Sequence, residues 1–391
     1  MASVITNGRI ITPDGILDNS VLIYEGGKIL GIDTARSSWE AGAEECIDAG
    51  GQYVSPGFID IHVHGGGGAE ASGGTPEQIC RMCSAHAQYG TTSILPTILA
   101  DRLDRMQQSV YAIRDAAAQC TACNILGAHL EGPYLSPAQC GAQNPEHLIL
   151  PRPEDYIPLI ESWSGIRVVG AAPELEGCLT LGDYLREHGV LATIAHSNAS
   201  FEQVETAVDH GFSDVTHIYS GCSGVHRINA YRIAGVIEAG LYDDRLTVQV
   251  IADGKHLPAP LLKLIYKCKG ARRIALISDG LCAAATDMAE GTVIHQANGM
   301  DMVYDDGVLK MMDRQAFAGS AATMSRLVKN MVALAGVPLT DAVEMASGTP
   351  ARIVGADDRK GTLEAGKDAD IIIFDEDITV SRVIVMGCQI K

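Results

Sequence analysis

Residues 56–64 read Pro-Gly-Phe-Ile-Asp-Ile-His-Val-His, an apolar run that ends in two imidazoles, His62 and His64. Successive side chains of a β-strand point to opposite faces, so residues two apart share a side and can grip one metal ion together. The competing reading is a strand with two buried histidines satisfied by hydrogen bonds, and the rest of the chain has to decide between them.

Before this run, short β-rich segments at 3–5, 20–24 and 28–32 alternate with Asn-Gly, Asp-Gly and Gly-Gly turn signals, the pattern of a small antiparallel sheet. After it, apolar runs at 93–95, 125–129, 167–171, 191–196, 215–218, 247–252 and 274–279 alternate with helical stretches. That alternation is the mark of parallel βαβ units, and about eight repeats suggest a closed barrel. Beyond Lys360 the sequence returns to β type at 370–375 and 383–386, so both ends are expected to meet in one sheet. The predicted fold is α/β: a (β/α)8 TIM-like barrel over 53–355, with a small β-sandwich domain built from 1–52 and 356–391.

The polar residues on these runs share a position. His62 and His64, Glu131, His196, His217 and Asp279 each fall at or just past the C-terminal end of a predicted strand, the rim where barrel enzymes place their active sites. His86, His188 and His210 fall instead on predicted helices.

The chain has 391 residues with a net charge of −19, 47% hydrophobic and 20% charged, the composition of a globular protein with a large core. Such acidity argues against nucleic-acid or anionic membrane partners, which require a surplus of Lys and Arg on the contacting face. An anionic substrate must therefore meet a local basic cluster. The first six residues lack the blocks of a signal peptide, and no apolar run approaches the roughly 18 to 20 residues that cross a bilayer. A soluble cytoplasmic protein is expected. Eleven scattered cysteines fit reduced thiols better than a disulfide framework. Cys80/Cys83 and Cys120/Cys123 both match Cys-x-x-Cys and together have the composition of a four-thiolate zinc site. Both pairs read as helical, without knuckle turns, so thiols one helical turn apart are the favoured account.

Glu131 stands where its strand stops at Gly132-Pro133, and a carboxylate there can bridge two cations. With His196 and His217 it forms a three-ligand metal site with an open position. His62 and His64 offer a second cation a place beside the first, so one or two divalent ions are expected, zinc foremost, with iron or manganese also suited to such donors. Asp279, counted with the metal ligands, is also the natural general base, able to accept a proton from water and return it to a departing nitrogen. Its alternative role is to cap the following helix.

These residues carry a resemblance. The Pro-Gly-Phe-Ile-Asp-x-His-x-His opening, His129-Leu130-Glu131-Gly132-Pro133, His196, Thr216-His217, Asp253-Gly254-Lys255-His256, Ser278-Asp279 and the closing stretch 361–370 resemble the N-acetylglucosamine-6-phosphate deacetylase family of the amidohydrolase superfamily over nearly the whole length. The resemblance implies that Glu131, His196 and His217 are primary metal ligands, that the retained His62/His64 pair adds capacity for a second ion, and that Asp279 is the acid/base. It implies that Arg227 and His256 hold the sugar and its 6-phosphate, with Ser220 and Gly221 contacting substrate. It implies a homodimer, with an amino sugar phosphate as the small-molecule partner. A guanidinium fork suits phosphate oxygens. The chain departs from the family in reading Ser220-Gly221-Cys222 where relatives read Asn-Ala-Met, and in lacking Arg-Glu-Pro-Gly around Arg227. It carries Gln143 where some relatives have a carbonyl-polarising histidine; an amide can still donate to a developing oxyanion. The activity implied is removal of the acetyl group from N-acetylglucosamine 6-phosphate, giving acetate and glucosamine 6-phosphate. The alternatives are another N-acyl substrate, such as N-acetylgalactosamine 6-phosphate, and a catalytically silent binding protein on the same barrel.

Overall fold

A computed structural model describes residues 2–34, 39 and 42–391. Residues 1, 35–38 and 40–41, within the stretch assigned to the small β domain, lie outside the described residues.

Eight parallel strands succeed one another in chain order: Phe58–Val63, Thr91–Ile98, Ala128–Glu131, Ile166–Ala171, Leu191–Ile194, Phe212–Val215, Thr247–Val250 and Ile274–Leu276. Their neighbours pair in parallel, and the seam between last and first is drawn together by the Asp279 N–H, which donates to His62 O at 2.9 Å. The Asp60 carboxylate reinforces it, Oδ1 accepting from the N–H groups of His62 at 3.3 Å and Ser278 at 3.2 Å. A buried side chain thus completes a ladder that backbone pairing leaves open.

Both chain ends share one eight-stranded sheet, in which Ile371–Phe374 runs antiparallel to Tyr53–Pro56. The former strand has two buried faces. Ile372 and Phe374 join the main hydrophobic core, whereas Ile371 and Ile373 pack with Ile5, Leu22 and Val54 in the core of the terminal sheet. The period-2 alternation of one apolar strand binds the two parts of the molecule.

Several expectations change in detail. The strands expected at 191–196, 215–218 and 274–279 stop earlier, because His196, His217 and Asp279 take left-handed backbone conformations, with φ of 44°, 26° and 46°. His188 and His210 sit just past the ends of helices Cys178–Glu187 and Phe201–Asp209 rather than within them. Cys80 and Cys83 are on helix Pro76–Ala87, but Cys120 and Cys123 lie beyond the end of helix Leu103–Ala117, in the turn before Asn124–Ile125. After the last barrel strand comes an unforeseen four-stranded antiparallel sheet: Val293–His295, Asp301–Asp305, Val308–Met311 and Phe317–Gly319. Its strands mix buried and exposed positions in short runs, so its hydrophobic period was too weak to read.

Candidate active site

The site is assembled from the strand ends upward. His62 is the penultimate residue of the first strand and His64 follows its end, and Nε2 of each lies 3.1 Å from that of the other. Glu131, the last residue of the third strand, brings Oε1 to 2.8 Å from His217 Nε2, 3.2 Å from His196 Nε2 and 3.5 Å from His62 Nε2. Asp279 Oδ1 lies 3.2 Å from His64 Nε2 and 3.5 Å from His62 Nε2. All six side chains are buried. Two subsets, His62/Glu131/His217 and His62/His64/Asp279, each gather donor atoms within 4.8 Å of one another.

The tautomers can be inferred from the outer partners. Nδ1 of His64, His196 and His217 faces the carbonyl oxygens of Thr97 (3.1 Å), Gln139 (2.8 Å) and Ser220 (3.0 Å), and a carbonyl only accepts. His62 Nδ1 faces Gln249 Oε1 at 3.3 Å, while the Gln249 amide nitrogen donates to Asp214 Oδ2 at 2.6 Å. Each Nδ1 therefore carries hydrogen, and four Nε2 atoms turn inward on two carboxylates, the outer arrangement typical of metal-bound histidines. This donor set fits a divalent cation.

The electrostatics show what occupies that place otherwise. Burial would raise the Glu131 carboxyl, but the four imidazoles facing it outweigh burial and hold it well below the usual carboxylate range. Burial pushes His62 well below its usual value and keeps it neutral. Burial opposes charging of His64 too, yet Asp279 and Glu131 lift it to about 10. His196, likewise against burial, is raised by Glu131. Without a cation, the proton on His64 offsets part of the carboxylate charge.

A pocket of about 300 Å³ opens over this cluster, lined among others by His64, Glu131, Gln143, His196, His217, Ser220, Gly221, His256 and Asp279. His256 donates from Nδ1 to Asp253 Oδ2 at 2.8 Å, with its ring against Phe317 at 4.7 Å. Gln143 donates to Glu131 Oε2 at 2.6 Å and accepts from the Ala100 N–H at 3.0 Å. Gly221 is required where it stands: a Cβ would come within 2.6 Å of His196 Nδ1, and its φ is +58°. Arg227 is not brought to the pocket. It lies exposed on the hairpin of His226–Ile228 with Tyr231–Ile233, and no Lys or Arg lines the pocket.

Sequence reading passed over Gln249, Thr97 and Asp253 as site residues, although each fixes an imidazole. It also passed over Gln296 and Phe317, which reach the pocket from the four-stranded sheet. Only Asp253, three residues before His256, had a local signal.

Residues 53–390 match the Amidohydrolase family. The chain is 31% identical to an N-acetylgalactosamine-6-phosphate deacetylase of Escherichia coli O157:H7, over 99% of both chains. It is 30% identical to an N-acetylglucosamine-6-phosphate deacetylase of Bacillus subtilis, over 97% of this chain and 94% of that one. The crystal structure of N-acetylglucosamine-6-phosphate deacetylase from Pasteurella multocida superposes with a TM-score of 0.92 at 28% identity, covering 100% of this chain and 99% of that one.

Proposed function

The chain belongs to the amidohydrolase family, and from that premise we propose that it deacetylates N-acetylglucosamine 6-phosphate, releasing acetate and glucosamine 6-phosphate. It is a hydrolase of a linear amide C–N bond. The observation that carries the reading is the inward convergence of four Nε2 atoms on Glu131 and Asp279 under an open pocket.

Glu131, His196 and His217 hold one divalent cation, and His62 and His64 add room for a second, zinc being the best match to these imidazole and carboxylate donors. Such an ion supplies Lewis acidity and makes water more acidic at neutral pH. Asp279 takes the proton of the attacking water at Oδ1 and delivers it to the leaving nitrogen, the proton transfer that an amide needs for its amine to depart. Gln143 keeps Glu131 in orientation with one amide hydrogen and directs the other to the developing oxyanion. His256, with its tautomer set by Asp253, and the Ser220–Gly221 segment position the sugar.

Charge for the 6-phosphate comes from Arg227 of a neighbouring copy in a homodimer. The hairpin that carries it exposes Ile228 at 52% and Tyr231 at 76%, an apolar flank that association would bury. No helix among the described residues is long and apolar enough to cross a membrane, and eleven unpaired cysteines fit the reducing cytoplasm. The terminal segments 1–52 and 356–391, joined by the strand Tyr53–Pro56, act as one small domain beside the barrel that begins with Phe58–Val63.

A second reading, N-acetylgalactosamine 6-phosphate as substrate, has the Escherichia coli relative in its favour. Acetate release by the metal-loaded protein from the two sugar phosphates decides between them. Faster turnover of the glucosamine derivative is expected; faster turnover of the galactosamine derivative replaces the substrate assignment, and no turnover of either removes the function.

A further inference from the structure

A carboxylate buried in the barrel wall lies outside the site residues named above, yet hydrogen bonds join it to them. Asp214 of the sixth strand is paired across the sheet with Thr193 on one side and Thr247 on the other, and Gln249 lies two residues beyond Thr247 on the same face. Asp214, Thr193 and Gln249 are fully buried. Asp214 Oδ2 accepts from Gln249 Nε2 at 2.6 Å and from Thr193 Oγ1 at 2.7 Å, and Oδ1 accepts from Thr247 Oγ1 at 2.5 Å. The single hydroxyl hydrogen of Thr193 is thereby committed, so its oxygen accepts from Thr216 Oγ1 at 2.8 Å. Burial raises the Asp214 carboxyl, and the donors on Thr247, Thr193 and Gln249 act against that.

We propose that Asp214 is a positioning residue of the metal centre: acting through Gln249, it holds His62 in the tautomer with hydrogen on Nδ1 and a lone pair on Nε2. The inference rests on the reading of His62 as a metal ligand. An ionised carboxylate only accepts, so the Gln249 amide must turn its NH2 group to Asp214 and its Oε1 to His62 Nδ1, 3.3 Å away. Reversing the amide would set two acceptor oxygens 2.6 Å apart in a buried place, where an unmet acceptor is costly. It would also oblige His62 Nδ1 to accept. The ring hydrogen would then sit on Nε2, closing to a cation the atom that faces His64 Nε2 at 3.1 Å and Glu131 Oε1 at 3.5 Å. The direction of donation therefore runs from a carboxylate remote from the cluster to the inner face of the imidazole, as outer partners of metal-bound histidines act.

The test reads the tautomer in the full chain. In metal-stripped protein carrying nitrogen-15 histidine, multiple-bond nitrogen–proton correlations report which ring nitrogen bears hydrogen, His62 being assigned by its loss in His62→Gln. The unmodified protein is expected to show His62 protonated at Nδ1. Asp214→Val, which removes the acceptor, should move hydrogen to Nε2 in part or in full and weaken zinc binding by about 10- to 100-fold, the usual cost of disturbing an outer partner. Asp214→Asn keeps an acceptor oxygen for Gln249 and should retain both tautomer and affinity. Should Asp214→Val fail to fold, Gln249→Met removes the amide while Asp214 keeps its threonine partners, and the same change of tautomer is expected. Hydrogen on Nε2 in the unmodified protein, an unchanged tautomer in the folded variant, or equal changes in Asp214→Val and Asp214→Asn overturns the proposal. If His62→Gln weakens zinc binding while Asp214→Val leaves the tautomer as it was, the ligand reading stands and this proposal alone is lost; if His62→Gln leaves zinc binding intact, both fall. No substrate enters these measurements, so they are independent of which sugar phosphate the enzyme cleaves.

Discussion

Gln143 donates its amide hydrogen to Glu131 Oε2 at 2.6 Å, which leaves Oε1 free to face His217, His196 and His62. A residue outside the barrel strands thus sets which oxygen of the central carboxylate turns to the imidazoles. Gln143→Leu removes both this bond and the acceptor for the Ala100 N–H. The loss of an oxyanion donor alone is worth about 10²- to 10³-fold in kcat. Metal content and kcat should fall together, whereas kcat alone falls if the amide serves only the oxyanion; elemental analysis beside steady-state kinetics separates the two.

Asp279→Asn preserves shape and hydrogen-bonding capacity but cannot carry the proton. Turnover should drop by about 10²- to 10⁴-fold, the usual worth of a positioned acid/base, with metal still bound through the imidazoles and Glu131. Near-normal kcat in a metal-replete variant would refute the assigned role.

Gly221→Ala places a methyl 2.6 Å from His196 Nδ1 and 3.1 Å from Gln139 O, across the hydrogen bond that orients the ring, in a backbone of φ +58°. The variant should lose metal affinity by about 10- to 100-fold, the usual cost of disturbing the outer partner of a ligand. Competition with a chromophoric chelator reads this directly.

Asp60→Ala leaves the His62 and Ser278 N–H groups without their acceptor at the barrel seam. Each orphaned buried donor costs about 1–3 kcal/mol, so denaturant unfolding should show a loss of several kcal/mol. Asp60→Asn keeps an acceptor oxygen and should lose less; equal losses would show that the seam does not depend on this bond.

His64, held at about 10 by Asp279 and Glu131 against burial, bears a proton at neutral pH in the metal-free protein. A cation can take Nε2 only when that proton leaves. Affinity should therefore rise with pH over the range below about 10, and loading near pH 8 should release protons. Calorimetric titration in buffers of different ionisation enthalpy counts them; a heat independent of buffer contradicts the expectation.

The sequence alone determined the alternation of strand and helix, the meeting of both termini, and the placing of His62, His64, Glu131, His196, His217 and Asp279 on strand ends. All of these follow from local periods of two and 3.6 and from where each apolar run stops. Only the tertiary structure decided the distances among them, because those depend on barrel closure and on the left-handed turns at His196, His217 and Asp279, and neither is written into any one segment. The link from Gln143 to Glu131, the pocket without a Lys or Arg and the outlying position of Arg227 belong to the same class. Each joins residues whose spacing along the chain is irrelevant to their spacing in space, and only packing of the whole chain sets that second distance.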